Sequence, residues 1–450
     1  MFKKFFSIAL ALVLIVVLAA CGNGSNAASP TKKQDGRVVV TFWHSMGGEP
    51  QKTLDKIVKD YNHSQKKVLV KAEYQGDYTE SLPKYLSVGG TDKAPTIVQS
   101  QEIATKAMIN SGFIQPVQKF IDKDKYDTSQ LEKNIVNYYT VDNKLYSMPF
   151  NSSTPVLYYN ADALQKDGIK LNPQDVTFEE IRDDAKKITA ASNGQMKGVA
   201  LQPYGWLFEE LLANQNALLV NKENGHDGTP TKAVFNSPQG TKILQWAQDM
   251  VNDKTFVDYG TGATAADDMT SGFLSGKVAM FIQSSASVRD VIDNAKFHVG
   301  VAYLPHPAST PRNGVAIGGA SLWMSKGKST AEQNAAWDFM KYLASSHVQA
   351  EWHVGSGYFS INTKAYSDPI VTDAYKKVPQ LKVTVQQLQA TKTSPTTQGA
   401  LMQSLPEERT AVESAMESVY NGANISKSLN KAIDDTDSAI KKANQANGGK

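Results

Sequence analysis

One twelve-residue stretch, Pro149–Asn160, constrains the fold more than any other feature, because similar patterns run on both sides of it. Its first half, Pro149-Phe150-Asn151-Ser152-Ser153-Thr154, is polar and turn-forming, and Pro155 follows. Its second half, Val156 to Tyr159, is a β-branched and aromatic run of the kind that forms a short strand. Upstream, Val38–Trp43, Val68–Tyr74 and Pro95–Gln99 are strand-like runs, and amphipathic segments separate them. Leu54, Ile57, Val58 and Tyr61 recur at the i, i+3, i+4, i+7 spacing of a helix with one buried face. Downstream, Phe178–Ile188, Trp206–Leu219 and the segment holding Ile243, Trp246, Ala247 and Met250 repeat the helical pattern, and Gly276–Ile282 repeats the strand pattern. Strand–loop–helix units imply a mostly parallel sheet, with ligands at the carboxyl ends of strands. Two such halves joined by a hydroxyl- and amide-rich segment imply two α/β lobes with a cleft between them. The competing reading of the stretch is an ordinary strand-entry loop.

A chain of 450 residues exceeds what one hydrophobic core usually serves, which also predicts two lobes. The net charge of +3 includes Lys3 and Lys4; without them the balance is +1, which gives no reason to expect a nucleic acid as partner. Lys3 and Lys4 precede an apolar run, Phe5–Val17, too short to be a convincing membrane span, and the order of charge and apolar run is that of a secretory signal over residues 1–20. The signal ends in Leu18-Ala19-Ala20-Cys21-Gly22, and Cys21 is the only cysteine, so neither an internal disulfide nor a multi-thiolate metal site is possible. Residues 22–36 are small and polar, a tether of about 20 Å root-mean-square span.

Further loops deposit recognition chemistry after strands. Ser45, Tyr78 and Glu102 fall in or near post-strand loops of the first half. Gln283-Ser284-Ser285 follows Gly276–Ile282, and Gly318-Gly319 precedes another apolar run; both are expected to be crossovers between lobes. Paired glycines let backbone N–H groups approach a ligand closely. Val299–Leu304 is expected to return to the first lobe. Lobe I is accordingly expected at 37–150 with 285–318, and lobe II at 151–284 with 319–450. Ser329-Thr330-Ala331-Glu332 matches a helix capping box. Gly355-Ser356-Gly357-Tyr358 is a turn presenting an aromatic. Ser404-Leu405-Pro406-Glu407-Glu408-Arg409 has the order of cap, proline and first-turn acids that begins a helix. No hydrolase, phosphate-loop, dinucleotide or metal-ligand motif is present, so no catalytic residue, metal or cofactor is expected. Loop hydroxyls, tyrosines, a carboxylate and an arginine suit a small polyol carrying an anionic group.

Five segments carry a resemblance: TFWHSM at 41–46, APTIVQSQE at 94–102, PFNSSTPVLYYN at 149–160, IGGASLW at 317–323 and EWHVGSGY at 351–358. They are similar to the family 1 extracellular solute-binding proteins of ABC importers, in particular to members that take sn-glycerol-3-phosphate. The similarity runs from about Val38 to the last helix. The resemblance implies a two-lobed, periplasmic-binding-protein-like α/β fold with three interlobe crossovers and a ligand cleft. It implies capture of glycerol-3-phosphate or a glycerophosphodiester such as glycerophosphocholine, without catalysis, and delivery to a paired membrane permease. By position, the implied ligand contacts are Tyr78, Glu102, Ser153, Ser284, Gly319, Tyr358 and Arg409. Glu102 would hold glycerol hydroxyls and Arg409 the phosphate. Ser153, Ser284 and the Gly319 N–H would bond phosphate or hydroxyl oxygens, and Tyr78 and Tyr358 would wall the cleft. Arg409→Ala is expected to abolish binding with the melting temperature nearly unchanged.

The segment before Cys21 resembles the lipobox of bacterial lipoproteins, in which the cysteine carries a diacylglycerol. That implies a receptor anchored on the outer face of the cytoplasmic membrane, of Gram-positive type; separately, the chain is expected to be a monomer. One departure concerns the ligand: the family's cleft tryptophan falls at Pro203, with Trp206 at a neighbouring position, which would leave room beside the phosphate. The competing functions are a sugar-binding receptor, a secreted glycerophosphodiester hydrolase and a purely structural surface lipoprotein.

Overall fold

The computed structural model describes residues 30–448, so the signal, Cys21 and most of the tether lie outside the described residues. Two sheets organise the rest. In the first, Arg37–His44 lies between parallel neighbours Val68–Tyr74 and Ile97–Gln101. Gly318–Ser325 runs antiparallel to Ile97–Gln101 and also pairs with Met148–Ser153 and Ile114–Gln115. The second sheet has the order Phe256–Val257, Lys197–Ala200, Val278–Ser284, Pro155–Asn160, Val299–Ala302. Each sheet is covered on both faces by helices, which makes two cores per lobe. Among the described residues, no helix is long and apolar enough to cross a membrane.

Local patterns produce the elements expected of them. Helix Gly48–Ser64 buries Leu54, Ile57, Val58 and Tyr61. The Ser329 hydroxyl accepts the Glu332 N–H, and the Glu332 carboxylate accepts the Ser329 N–H, a complete capping box for helix Thr330–Leu343. Ser404, by contrast, stands before helix Leu405–Tyr420 without a side-chain cap bond.

The chain crosses between lobes at Thr154, inside the stretch singled out for it but later than the expected boundary after 150: Met148–Ser153, read as turn-forming, is a strand of the first sheet, and Pro155–Asn160 belongs to the second. Other expectations are corrected. Ser284–Ser285 is not a crossover, because the following turn keeps Val288 and Val291 in a core of the second lobe. Val299–Ala302 does not return to the first lobe; it pairs antiparallel with Pro155–Asn160. The second crossing therefore lies between Ala302 and Gly318, whose strand belongs to the first lobe, not the second. Trp337, Phe339, Trp352, Phe359 and Ile361 remain in the first lobe's core. The third crossing runs from there to Leu405, which is in the second lobe's core. Helix Gln380–Gln389 lies on that crossing, with Leu381 in a core of the second lobe and Val385 and Leu388 in the first. Apolar periodicity identifies a strand but carries no information on which sheet it joins.

One buried side chain ties the three crossings together. The Gln387 amide donates to Thr154 Oγ1 (2.9 Å) and to the Pro155 carbonyl (2.7 Å). Its oxygen accepts the Leu304 N–H at 2.5 Å. One turn on, the Thr391 hydroxyl donates to the Gln387 carbonyl (3.2 Å) and accepts the Val315 N–H (3.1 Å).

Candidate functional site

The carboxyl end of Ile97–Gln101 turns directly into Glu102, which is 2% exposed. One Glu102 oxygen accepts the Gly319 N–H at 3.1 Å, from the neighbouring strand of the same lobe. The other accepts from Arg409 Nη2 at 2.9 Å, across the lobe boundary. Gly319 has φ +109°, and a Cβ there would stand 2.0 Å from the Asn151 carbonyl, so only glycine places its N–H on Glu102. Three of the seven expected residues, Glu102, Gly319 and Arg409, thus form one hydrogen-bonded chain.

Arg409 projects from helix Leu405–Tyr420 of the second lobe. A second carboxylate, which the sequence did not single out, also holds it: Glu209 accepts from Nε at 2.6 Å and from Nη2 at 3.2 Å. Glu209 lies on helix Gly205–Asn214, and Gly205 lets that helix close on Arg409, since a Cβ there would fall 2.7 Å from the Arg409 Cα. The Nε–Nη2 fork is therefore filled by protein, and among the described residues no protein group bonds Nη1. Burial opposes the charge on Arg409, yet Glu209 and Glu102 outweigh it and raise its pKa well above the ordinary value.

Carboxyl groups outnumber the cation. Burial raises the Glu102 pKa, with Arg409 pulling the other way. Burial, reinforced by Glu209, pushes Glu210 and Glu408 well above the ordinary carboxylate range. Glu210 accepts the Ala316 N–H at 2.9 Å, whereas both Glu408 oxygens are buried without a partner. Glu413 accepts the Gly205 N–H at 3.1 Å, and burial raises its pKa too. The upward shifts favour the neutral forms of Glu210 and Glu408, so the electrostatic cost of adding an isolated anion comes from Glu102 and Glu209, the two carboxyl groups bonded to the single guanidinium.

Tyr78 and Tyr358 stand on the first-lobe wall. Rings of Phe150, Trp352 and Tyr358 stack in series, with centroid separations of 4.6 and 5.8 Å. Tyr78 accepts from Asn151 Nδ2 at 2.9 Å, and its pKa is raised by burial and by the nearby Tyr358 and Glu102. Ser153 pairs with Gly318 at the edge of the first crossing and is buried. Ser284 pairs with Pro155 on the other side of that crossing, but its hydroxyl accepts the Ala286 N–H at 3.2 Å, a local cap. Where Pro203 was expected to open space, aromatic cover persists. Trp206 lies against Gly318, with its indole N–H buried and unpartnered, and Tyr204 packs edge-on to it at 5.9 Å. A pattern search could have found Glu209 only by knowing that its helix docks on Arg409.

Comparison with known proteins agrees with this architecture. The family profile described as bacterial extracellular solute-binding protein matches residues 56–383. The sn-glycerol-3-phosphate-binding periplasmic protein UgpB of Yersinia pseudotuberculosis is 34% identical over 418 residues, covering 91% of this chain and 93% of the relative. Among solved structures, UgpB from Mycobacterium tuberculosis in complex with glycerophosphocholine superposes with a TM-score of 0.74 at 18% identity, covering 90% of this chain and 99% of that one. The sugar-binding protein MalE from Xanthomonas citri gives a TM-score of 0.76 at 18% identity, covering 92% and 100%. At these identities the two structures establish the two-lobed fold.

Proposed function

This chain belongs to the family of bacterial extracellular solute-binding proteins, and we propose that it captures glycerol-3-phosphate or a glycerophosphodiester between its lobes for an ABC importer. The observation that carries the reading is Arg409, a buried guanidinium at the lobe boundary, held by Glu102 from one side and Glu209 from the other. In this reading a phosphate takes Nη1 and displaces Glu102 from Nη2. Glu102, released, accepts from the glycerol hydroxyls. The Gly319 N–H and the Ser153 and Ser284 hydroxyls serve the remaining oxygens, and Tyr78 and Tyr358 wall the cleft. Charge-assisted bonds of this kind are strong in a water-poor cleft.

The two carboxyl groups that share the one guanidinium, Glu102 and Glu209, favour a ligand that brings its own cation, such as glycerophosphocholine, over the free monoester. The receptor delivers its ligand unchanged to a permease pair. We also assign Cys21 as the lipid attachment point of a monomer on the outer face of the cytoplasmic membrane of a Gram-positive-type cell. That assignment is supported by the Leu18–Gly22 sequence and the absence of any other cysteine.

Calorimetric titration with glycerophosphocholine, glycerol-3-phosphate and maltose tests the ligand class. Glycerophosphocholine should bind most tightly, be recovered intact, and be followed by glycerol-3-phosphate; maltose should give no heat. Binding of maltose alone would replace this reading with a sugar receptor. Cys21→Ala should release the protein from the membrane fraction or leave it uncleaved, and normal processing with full membrane retention would refute the anchor.

A further inference from the structure

A chain of hydrogen bonds runs through the first lobe towards Tyr78, and its direction can be established atom by atom. It starts at the Ser45 N–H, a group that can only donate, which bonds Gln99 Oε1 at 2.8 Å. Gln99 therefore presents its Nε2 to Asn151, and Asn151 Oδ1 accepts it at 2.6 Å. Asn151 in turn presents its Nδ2 to Tyr78, and the phenolic oxygen accepts at 2.9 Å. Gln99 is 1% exposed and Asn151 fully buried, so water does not compete for these bonds. Asn151 is itself held in the strand Met148–Ser153, paired with Ala320 next to Gly319.

A phenol has one proton and two acceptor sites. With Asn151 donating to the oxygen, the Tyr78 proton cannot point at Asn151. Tyr358, Glu102 and Tyr139 lie near it, and the Tyr358 hydroxyl, which both Tyr78 and Asn151 approach as hydrogen-bonding partners, is the acceptor that a ligand oxygen has to displace. We propose that Asn151, oriented by Gln99, is a specificity-determining positioning residue that makes Tyr78 a hydrogen-bond donor to the bound ligand. A donor at this position selects an oxygen of the ligand that accepts, a phosphate or ether oxygen, and discriminates against a group that can only donate. The inference rests on the reading that Tyr78 contacts the ligand, so the experiment separates the two.

Two substitutions reverse the polarity with almost no change of shape. Asn151→Asp replaces the donor by a carboxylate oxygen, which draws the Tyr78 proton onto itself. Gln99→Glu acts one residue further back. Its carboxylate keeps the Ser45 N–H but offers a second acceptor to Asn151, which then rotates its amide and turns Oδ1 to Tyr78. Each should weaken glycerophosphocholine binding by roughly 10- to 100-fold, the effect of losing one hydrogen bond to a charged ligand group. Tyr78→Phe should weaken it by a similar factor. In the Tyr78→Phe background, Asn151→Asp should cost nothing further, because the donor is already absent. A packing role would instead give additive losses.

Titration calorimetry of the four variants of the full mature chain, each with a thermal melt, decides the matter. A tenfold or greater loss for Tyr78→Phe, together with affinity within threefold of wild type for both Asn151→Asp and Gln99→Glu, overturns the relay but leaves the contact. Affinity within threefold for Tyr78→Phe overturns the contact, and the relay falls with it. Additive losses in the double variant overturn the relay as well. If Asn151→Asp fails to fold, Gln99→Glu alone carries the test, in single and Tyr78→Phe double form.

Discussion

Arg409→Ala is expected to weaken ligand binding severely and also to lower the melting temperature of the free protein. The second half reverses what the sequence alone implied, a melting temperature nearly unchanged. Arg409 is 6% exposed and bonded to carboxylates of both lobes. Its removal leaves Glu102 and Glu209 buried without their cation, among three further carboxyl groups. Breaking a buried pair from one side costs about 3–5 kcal/mol. Part of that cost is relieved if the lobes open and hydrate Glu102, so small-angle scattering of the variant should show a more extended particle. Affinity should fall by about 2–5 kcal/mol, or roughly 30- to several-thousand-fold. Adding Glu209→Gln to Arg409→Ala should recover much of the melting temperature and none of the affinity. Arg409→Lys should recover part of each, because an ammonium keeps the charge but not the planar fork. A wild-type melt for Arg409→Ala would mean that the three bonds contribute nothing net. Affinity within threefold of wild type would remove Arg409 from the ligand site.

Gln387→Leu is the second large effect. Leucine fills a similar volume but leaves the Pro155 carbonyl, the Thr154 hydroxyl and the Leu304 N–H without their present partner in a dry environment. Each such orphan costs about 1–3 kcal/mol. The total, on the order of 3–5 kcal/mol, should appear as a fall of several degrees in the melting temperature. The consequence for binding is separate. Gln387 contacts all three segments that join the lobes, so its loss changes how the lobes hinge rather than what the cleft contains. The scattering difference between free and ligand-saturated protein should therefore change in Gln387→Leu. In Thr391→Val, which removes only the bonds to Val315 and the Gln387 carbonyl, it should change less. An unaltered melt and an unaltered ligand-induced scattering difference in Gln387→Leu would exclude the amide as the pin of the hinge.

Features that depend on neighbours along the chain were legible in the sequence. The stripe Leu54, Ile57, Val58, Tyr61, the Ser329–Glu332 capping box and the crossing within Pro149–Asn160 follow from spacing over a few residues. Helical period, capping chemistry and the limits that proline places on backbone act over a single turn or strand. The seven candidate contacts came from resemblance to a family rather than from period, and three of them meet at one hydrogen-bonded chain.

Tertiary structure decided the rest. Val299–Ala302 and Gly318–Ser325 are both apolar runs, and only their pairing partners place the first in one sheet and the second in the other. Glu209 and Arg409 are 200 residues apart, and Gln387 is more than 230 from Thr154. No local rule relates such positions; they meet because two helices close at Gly205 and because three crossings share one hinge. The sequence by itself determined most of the helices and strands and the stretch that holds the first crossing, since short-range sterics and burial set those, although Met148–Ser153 became a strand only by pairing with Gly318–Leu322. The fold alone decided that the arginine reads as a neutralised, buried ion pair rather than a free cation, because charge state in a low-dielectric cleft depends on groups brought together from distant parts of the chain.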